Sequence, residues 1–109
     1  MSRTFEYVDG GKTTEVTVTN AAGGSYLPGG ASHTPFANRI AVEIQNLGPN
    51  AIYVTVDGSA PLATGANGRK IDASGGTWTL AVSSTVVLRA IAATAAQLTT
   101  AATMVTELG

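Results

Sequence analysis

The feature that most constrains the fold is a period of two in the apolar residues. Arg39-Ile40-Ala41-Val42-Glu43-Ile44-Gln45 alternates so that Ile40, Val42 and Ile44 share one face. Beyond Asn46-Leu47-Gly48-Pro49-Asn50 the pattern resumes, with Ile52, Val54 and Val56 on one face and Ala51, Tyr53 and Thr55 opposite. Alternation of this kind belongs to a half-buried strand, because successive side chains of a strand point to opposite faces. The residues between the runs have turn chemistry: Pro fixes φ, while Gly and Asn tolerate positive φ. Two alternating runs about such a loop predict a β-hairpin.

The same signal recurs along the chain. Thr14 to Thr19 alternates, and Phe5-Glu6-Tyr7-Val8 and Thr13 to Thr19 flank Asp9-Gly10-Gly11-Lys12, a candidate hairpin turn. Asp57-Gly58-Ser59 ends the Ile52 run, and Ser59 to Gly68 reads as a surface loop. Arg69 to Asp72 is a short strand candidate, and Thr77 to Val82 is a longer one carrying the only Trp. Thr85 to Ala93 starts with β-branched residues, and Thr103 to Leu108 reads as the last strand. The Ala-rich stretch Arg89 to Ala102 has helix propensity, but its Val86-Val87-Leu88 neighbours favour a strand, a turn near Ala95 to Thr100 and a second strand. Turn signals about every ten residues predict an all-β fold, an antiparallel β-sandwich or barrel rather than βαβ units.

Asn20 to Pro35 carries several glycines and no alternation, and a structureless loop of that length is uncommon inside a compact domain. The chain is therefore divided into an extended N-terminal arm, residues 1–38, and a compact β-domain, residues 39–109. A core of about seventy residues without disulfide or metal supplies only a few kcal/mol, so self-association is expected as a further support. Only 12% of the residues are charged, which suits packing against other protein. Exposed aromatic and apolar residues on an arm are costly unless a partner covers them. Phe5, Tyr7, Val16, Val18, Tyr26, Leu27 and Phe36 are accordingly the candidate partner interface, with Thr13 to Thr19 suited to adding a strand to a neighbour's sheet.

Several classes of chemistry find no support. The 6 basic residues are scattered and the net charge is −1, so no basic stripe for nucleic acid is present. There is no cysteine, which removes disulfides and thiolate metal sites, and no cofactor or metal motif is recognised. No stretch has the apolar length of a membrane helix, and the N-terminus lacks the apolar run of a signal peptide, so no membrane partner is expected. His33 is the only histidine and sits between Ser32 and Thr34, which is no catalytic triad. The 7 carboxylates are dispersed, and most fall at positions read as solvent-facing or turns. Gly65-Ala66-Asn67-Gly68-Arg69-Lys70 lacks phosphate-loop spacing, and Asp57-Gly58-Ser59 lacks the spaced acids of a calcium loop. The chain is read as non-enzymatic. Trp78 is read as core; its alternative, with Tyr53, is a stacking platform for sugar.

Three segments together carry a resemblance. Ile44-Gln45-Asn46-Leu47-Gly48-Pro49-Asn50-Ala51-Ile52-Tyr53-Val54, followed by Gly75-Gly76-Thr77-Trp78-Thr79-Leu80 and by Val87-Leu88-Arg89-Ala90-Ile91-Ala92-Ala93, resembles small virion proteins of tailed bacteriophages. It covers Arg39 to Leu108 and leaves the arm unmatched. The resemblance implies a jelly-roll-like β-sandwich and a head decoration, or cement, protein. Such a protein would be made in the bacterial cytoplasm and carried on the capsid surface. It would bind the major capsid protein as a homo-oligomer, expected as a trimer. The alternative it leaves open is a receptor- or glycan-binding module of a head or tail fibre. It brings no catalytic residue.

Overall fold

The computed structural model describes residues 11–93 and 102–109. These form eight strands and no helix: β1 (Gly11–Thr17), β2 (Ser25–Leu27), β3 (Ala41–Asn46), β4 (Ile52–Thr55), β5 (Arg69–Ile71), β6 (Gly76–Leu80), β7 (Leu88–Ala92) and β8 (Ala102–Leu108). They build two 4-stranded antiparallel sheets, ordered β1-β8-β3-β6 and β2-β7-β4-β5. The all-β expectation is met. First pairs with last, second with seventh, third with sixth and fourth with fifth, as in one long antiparallel ribbon folded across itself. The fold-over adds the β3–β8 and β4–β7 ladders.

Both sheets feed one hydrophobic cluster. Val16, Val42, Ile44 and Val105 enter from the first sheet, and Leu27, Ile52, Val54, Ile71, Leu88, Ala90 and Ala92 from the second. Period-two alternation therefore reports correctly which face is buried in β3, β4 and β8. It misreports the partner. β3 and β4 are not a hairpin, because β3 lies between β8 and β6 while β4 lies in the other sheet between β7 and β5. The Asn46–Asn50 segment carries the chain from one sheet to the other. Alternation is equally satisfied by two strands side by side or by two strands facing each other across a core, so it cannot distinguish them.

The extended arm is corrected for residues 11–38. β1 pairs along its full length with β8, from Gly11 with Leu108 to Thr17 with Ala102, and β2 pairs with β7. Gly11 and Lys12 belong to this ladder, not to a turn. The expected hairpin turn is otherwise at Asp9 and Gly10, which lie outside the described residues. So does the turn expected near 95–100. The long glycine-rich loop is interrupted by β2, where Gly24 (φ +66) lies between the Ala90 carbonyl and Pro61. A side chain there would strike backbone, and the positive φ disfavours one in any case.

The ends of the alternating runs also differ from expectation. Ile40 is 58% and Val56 43% exposed, because β3 starts only at Ala41 and β4 stops at Thr55. Arg39 points inward instead of Ile40.

Where the β3–β4 and β5–β6 connections run side by side, a buried Asn46 holds them. Its Nδ2 donates to the carbonyls of Asn50 (2.9 Å), Ile71 (3.3 Å) and Asp72 (3.2 Å), and its Oδ1 accepts from Gly48 N (3.0 Å). Its own carbonyl accepts from Gly75 N, and Ser74 N donates to Gly48 O. Replacing a side chain that satisfies several buried backbone groups leaves them desolvated and unpaired, at about 1–3 kcal/mol each. Asn46→Ala should therefore cost about 3 kcal/mol or more in urea unfolding. A loss below about 1 kcal/mol would mean that water replaces the amide at this corner.

Candidate functional site

The described residues among those expected to meet a partner do not gather on one surface. Val16, Val18 and Leu27 are 5%, 0% and 0% exposed and belong to the core cluster. Being inward-facing in paired strands, or beside them, they are not available to another chain. Tyr26 is half-buried, with the Arg89 guanidinium 4.9 Å from its ring centroid. Arg89 also donates to Gly58 O (3.2 Å) and Gly23 O (2.6 Å), clamping two loops over the outer side of the second sheet. Phe36 is half-buried, its backbone amide donates to Glu107 and its ring lies against Gly109. Phe5 and Tyr7 lie outside the described residues.

The most concentrated chemistry is a buried ion pair that sequence reasoning missed. Arg39 and Glu107 are 2% and 1% exposed, and Arg39 Nη1 lies 3.2 Å from Glu107 Oε2. The same oxygen accepts from Phe36 N at 2.8 Å. Arg39 further donates from Nε (3.2 Å) and Nη2 (2.7 Å) to Ser83 O, and from Nη2 to Val86 O (2.8 Å). Nearby, His33 Nε2 donates to Ser84 O at 2.9 Å. The planar guanidinium thus joins the β2–β3 connection, the β6–β7 connection and β8. Burial of two charges is costly and is offset only where further hydrogen bonds complete the pair, as they do here for Arg39. Glu107 Oε1 has no partner. The geometry fits a structural clasp: neither group faces solvent.

Glu107 was detectable in principle. It is in phase with Thr103 and Val105, both of which face inward on β8. Glu107 is thus an exception to the solvent-facing or turn positions read for most of the carboxylates. Arg39 carried no such signal, because three steps separate it from Val42 and the parity breaks between them.

The sugar-platform alternative is not assembled. Trp78 packs half-buried against the core rather than within it, and Arg69 lies over its ring at 4.8 Å. Tyr53 projects from the outer side of the other sheet, where Gly65 lies against its ring. A side chain at Gly65 would collide with that ring, so the loop glycine (φ +80) is needed for the cover. The two aromatics do not share a surface. Among the described residues there is no cavity and no cluster of metal-ligating side chains.

Removing one member of a buried pair leaves the other charge unpaired, so Arg39→Ala and Glu107→Ala should each cost about 3–5 kcal/mol. The double variant Arg39→Met, Glu107→Leu should recover part of that loss, since it removes both charges. It cannot recover all, because the Ser83 and Val86 carbonyls and the Phe36 amide lose their partners. Strictly additive single losses in a double-mutant cycle would contradict a coupled clasp.

No family model matches this chain, and neither the curated proteins nor the solved structures contain one significantly similar to it.

Proposed function

We propose that the chain is a non-enzymatic structural protein of a tailed-phage virion, a decoration protein that binds the major capsid protein on the outside of the head. The observation that carries this reading is the strand order. Sheets ordered β1-β8-β3-β6 and β2-β7-β4-β5, with the ribbon pairing described above, fit an eight-stranded jelly roll. That architecture recurs in viral capsid domains, so the link from fold to role is one of analogy. It agrees with the resemblance of the Ile44–Val54, Gly75–Leu80 and Val87–Ala93 segments to phage virion proteins.

Two surface properties support a docking role. The outer side of the β1-β8-β3-β6 sheet presents Thr13, Thr106, Glu43 and Thr79 in one cross-strand row and Glu15, Met104, Gln45 and Thr77 in the next. This is a broad, mostly uncharged polar face. The outer side of the second sheet is instead partly closed by Arg89 and the Gly65 turn. Contacts made by such a face are hydrogen-bonded and apolar more than ionic, so salt should screen them little.

The test is co-sedimentation of the purified chain with heads assembled from the major capsid protein encoded in the same genome. Saturable binding is expected, changing less than about threefold between about 50 and 300 mM salt. Deleting residues 1–10 should leave both sheets folded, and should weaken binding if Phe5 and Tyr7 contribute to the anchor. Failure of the full chain to bind heads would refute the decoration role.

A further inference from the structure

A sheet edge is a row of unpaired backbone groups, and folded proteins normally guard it with charge, Pro, a bulge or brevity. The described edges of this protein are guarded unequally. β1 carries Lys12 and Glu15, β2 has three residues, and β5 has three of which two are Arg69 and Lys70. β6 has none of these protections among its own residues; the charge against it is borrowed from β5, whose Arg69 guanidinium lies 4.8 Å from the Trp78 ring centroid. It is Gly76-Thr77-Trp78-Thr79-Leu80, paired on one side with β3 and on the other with no described strand. From Ala73 to Leu88 there is neither a charged residue nor a Pro. Along the same edge Trp78, Leu80 and Val82 pack against the core yet remain half-buried, leaving an apolar strip partly in water.

The strand is also complementary to itself. In an antiparallel pair centred on Thr79, Trp78 of one copy stands opposite Leu80 of the other, Thr77 opposite Ala81, and Gly76 opposite Val82. Opposed residues then share parity, so the backbone groups facing the free edge on one strand meet their counterparts on the other. On the inner side, large meets large at Trp78 and Leu80. On the outer side the two Thr79 hydroxyls meet, in the way Thr13 and Thr106 already do at 3.0 Å across β1 and β8.

We propose that β6 is a dimerisation strand: the free edges of two copies pair about a two-fold axis at Thr79, joining the β1-β8-β3-β6 sheets into one continuous sheet and closing the Trp78-Leu80-Val82 strip. Such a contact uses the same patch twice and closes at two copies, not at the three that the resemblance implies. It stands on the edge alone and is independent of the decoration role.

Sedimentation equilibrium of the full chain from about 1 to 100 μM should show a monomer–dimer equilibrium, accompanied by a blue shift of Trp78 fluorescence. Thr79→Glu places a carboxylate beside Glu43, its neighbour on β3, and opposite its own image across the axis. It should raise the dimer Kd about 100-fold, and an equimolar mixture with Thr79→Lys should restore association. As a second variant, Thr79→Cys introduces the sole cysteine of the chain at the axis. Opposed Cβ atoms in an antiparallel pair lie about 4.5–5.5 Å apart, close enough for a disulfide after a small adjustment. It should cross-link under mild oxidation, whereas Thr13→Cys on β1 should not. A monomer throughout the concentration range, a trimer, or a dimer that neither Thr79→Glu weakens nor Thr79→Cys captures would overturn the proposal.

Discussion

A chain that passes repeatedly between two sheets leaves ladder hydrogen bonding at every passage, and the buried backbone groups left there must find other partners. Here those partners are polar side chains placed where connections run side by side. Asn46 serves the β3–β4 and β5–β6 connections. Arg39, with Glu107, serves the β2–β3 and β6–β7 connections. Arg89 reaches the loop after β4 and the β1–β2 connection, which is also tied by Ala92 N to Thr19 O. The aliphatic core supplies the driving force for burial, but that force has no direction. Which connection lies against which is decided by these directional contacts.

The same arrangement gives the molecule two unlike surfaces. Arg89 draws loops across the outer side of one sheet, and Gly65 lets a loop close onto Tyr53. The other sheet has no loop of the described residues drawn across its outer side in this way, and it ends in β6, a strand with no charged residue of its own. The strand sequences already differ in the same sense, since the covered outer face carries Tyr26, Tyr53 and Ile91 while the other carries mostly Thr, Glu and Gln.

Individual elements show what kind of information alternation contains. For β3, β4 and β8 the buried face follows from period two, because a strand has only two faces and one must leave water. At Ile40 and Val56 the inference fails, since strand ends are set by where a neighbour's ladder stops. β2 was not visible at all: three residues between glycines carry too little pattern, and pairing with β7 supplies what the local sequence lacks. The candidate interface suffered from the same blindness. Val16, Val18 and Leu27 were assigned to a partner when the buried surface they required lay within the chain itself.

What the amino-acid sequence determined by itself was the class of fold, the approximate position of most strands, and the lack of motifs for catalysis or metal binding. These rest on side-chain periodicity, turn residues and composition, which are local properties. The tertiary structure alone decided which strands pair, that β3 and β4 lie in different sheets, and that Arg39 meets Glu107. Those facts join residues far apart in the chain, and no local pattern encodes a contact whose two halves each look ordinary. A lone arginine before a strand and a glutamate near the end of another acquire their meaning only when the ribbon folds over and removes both from water.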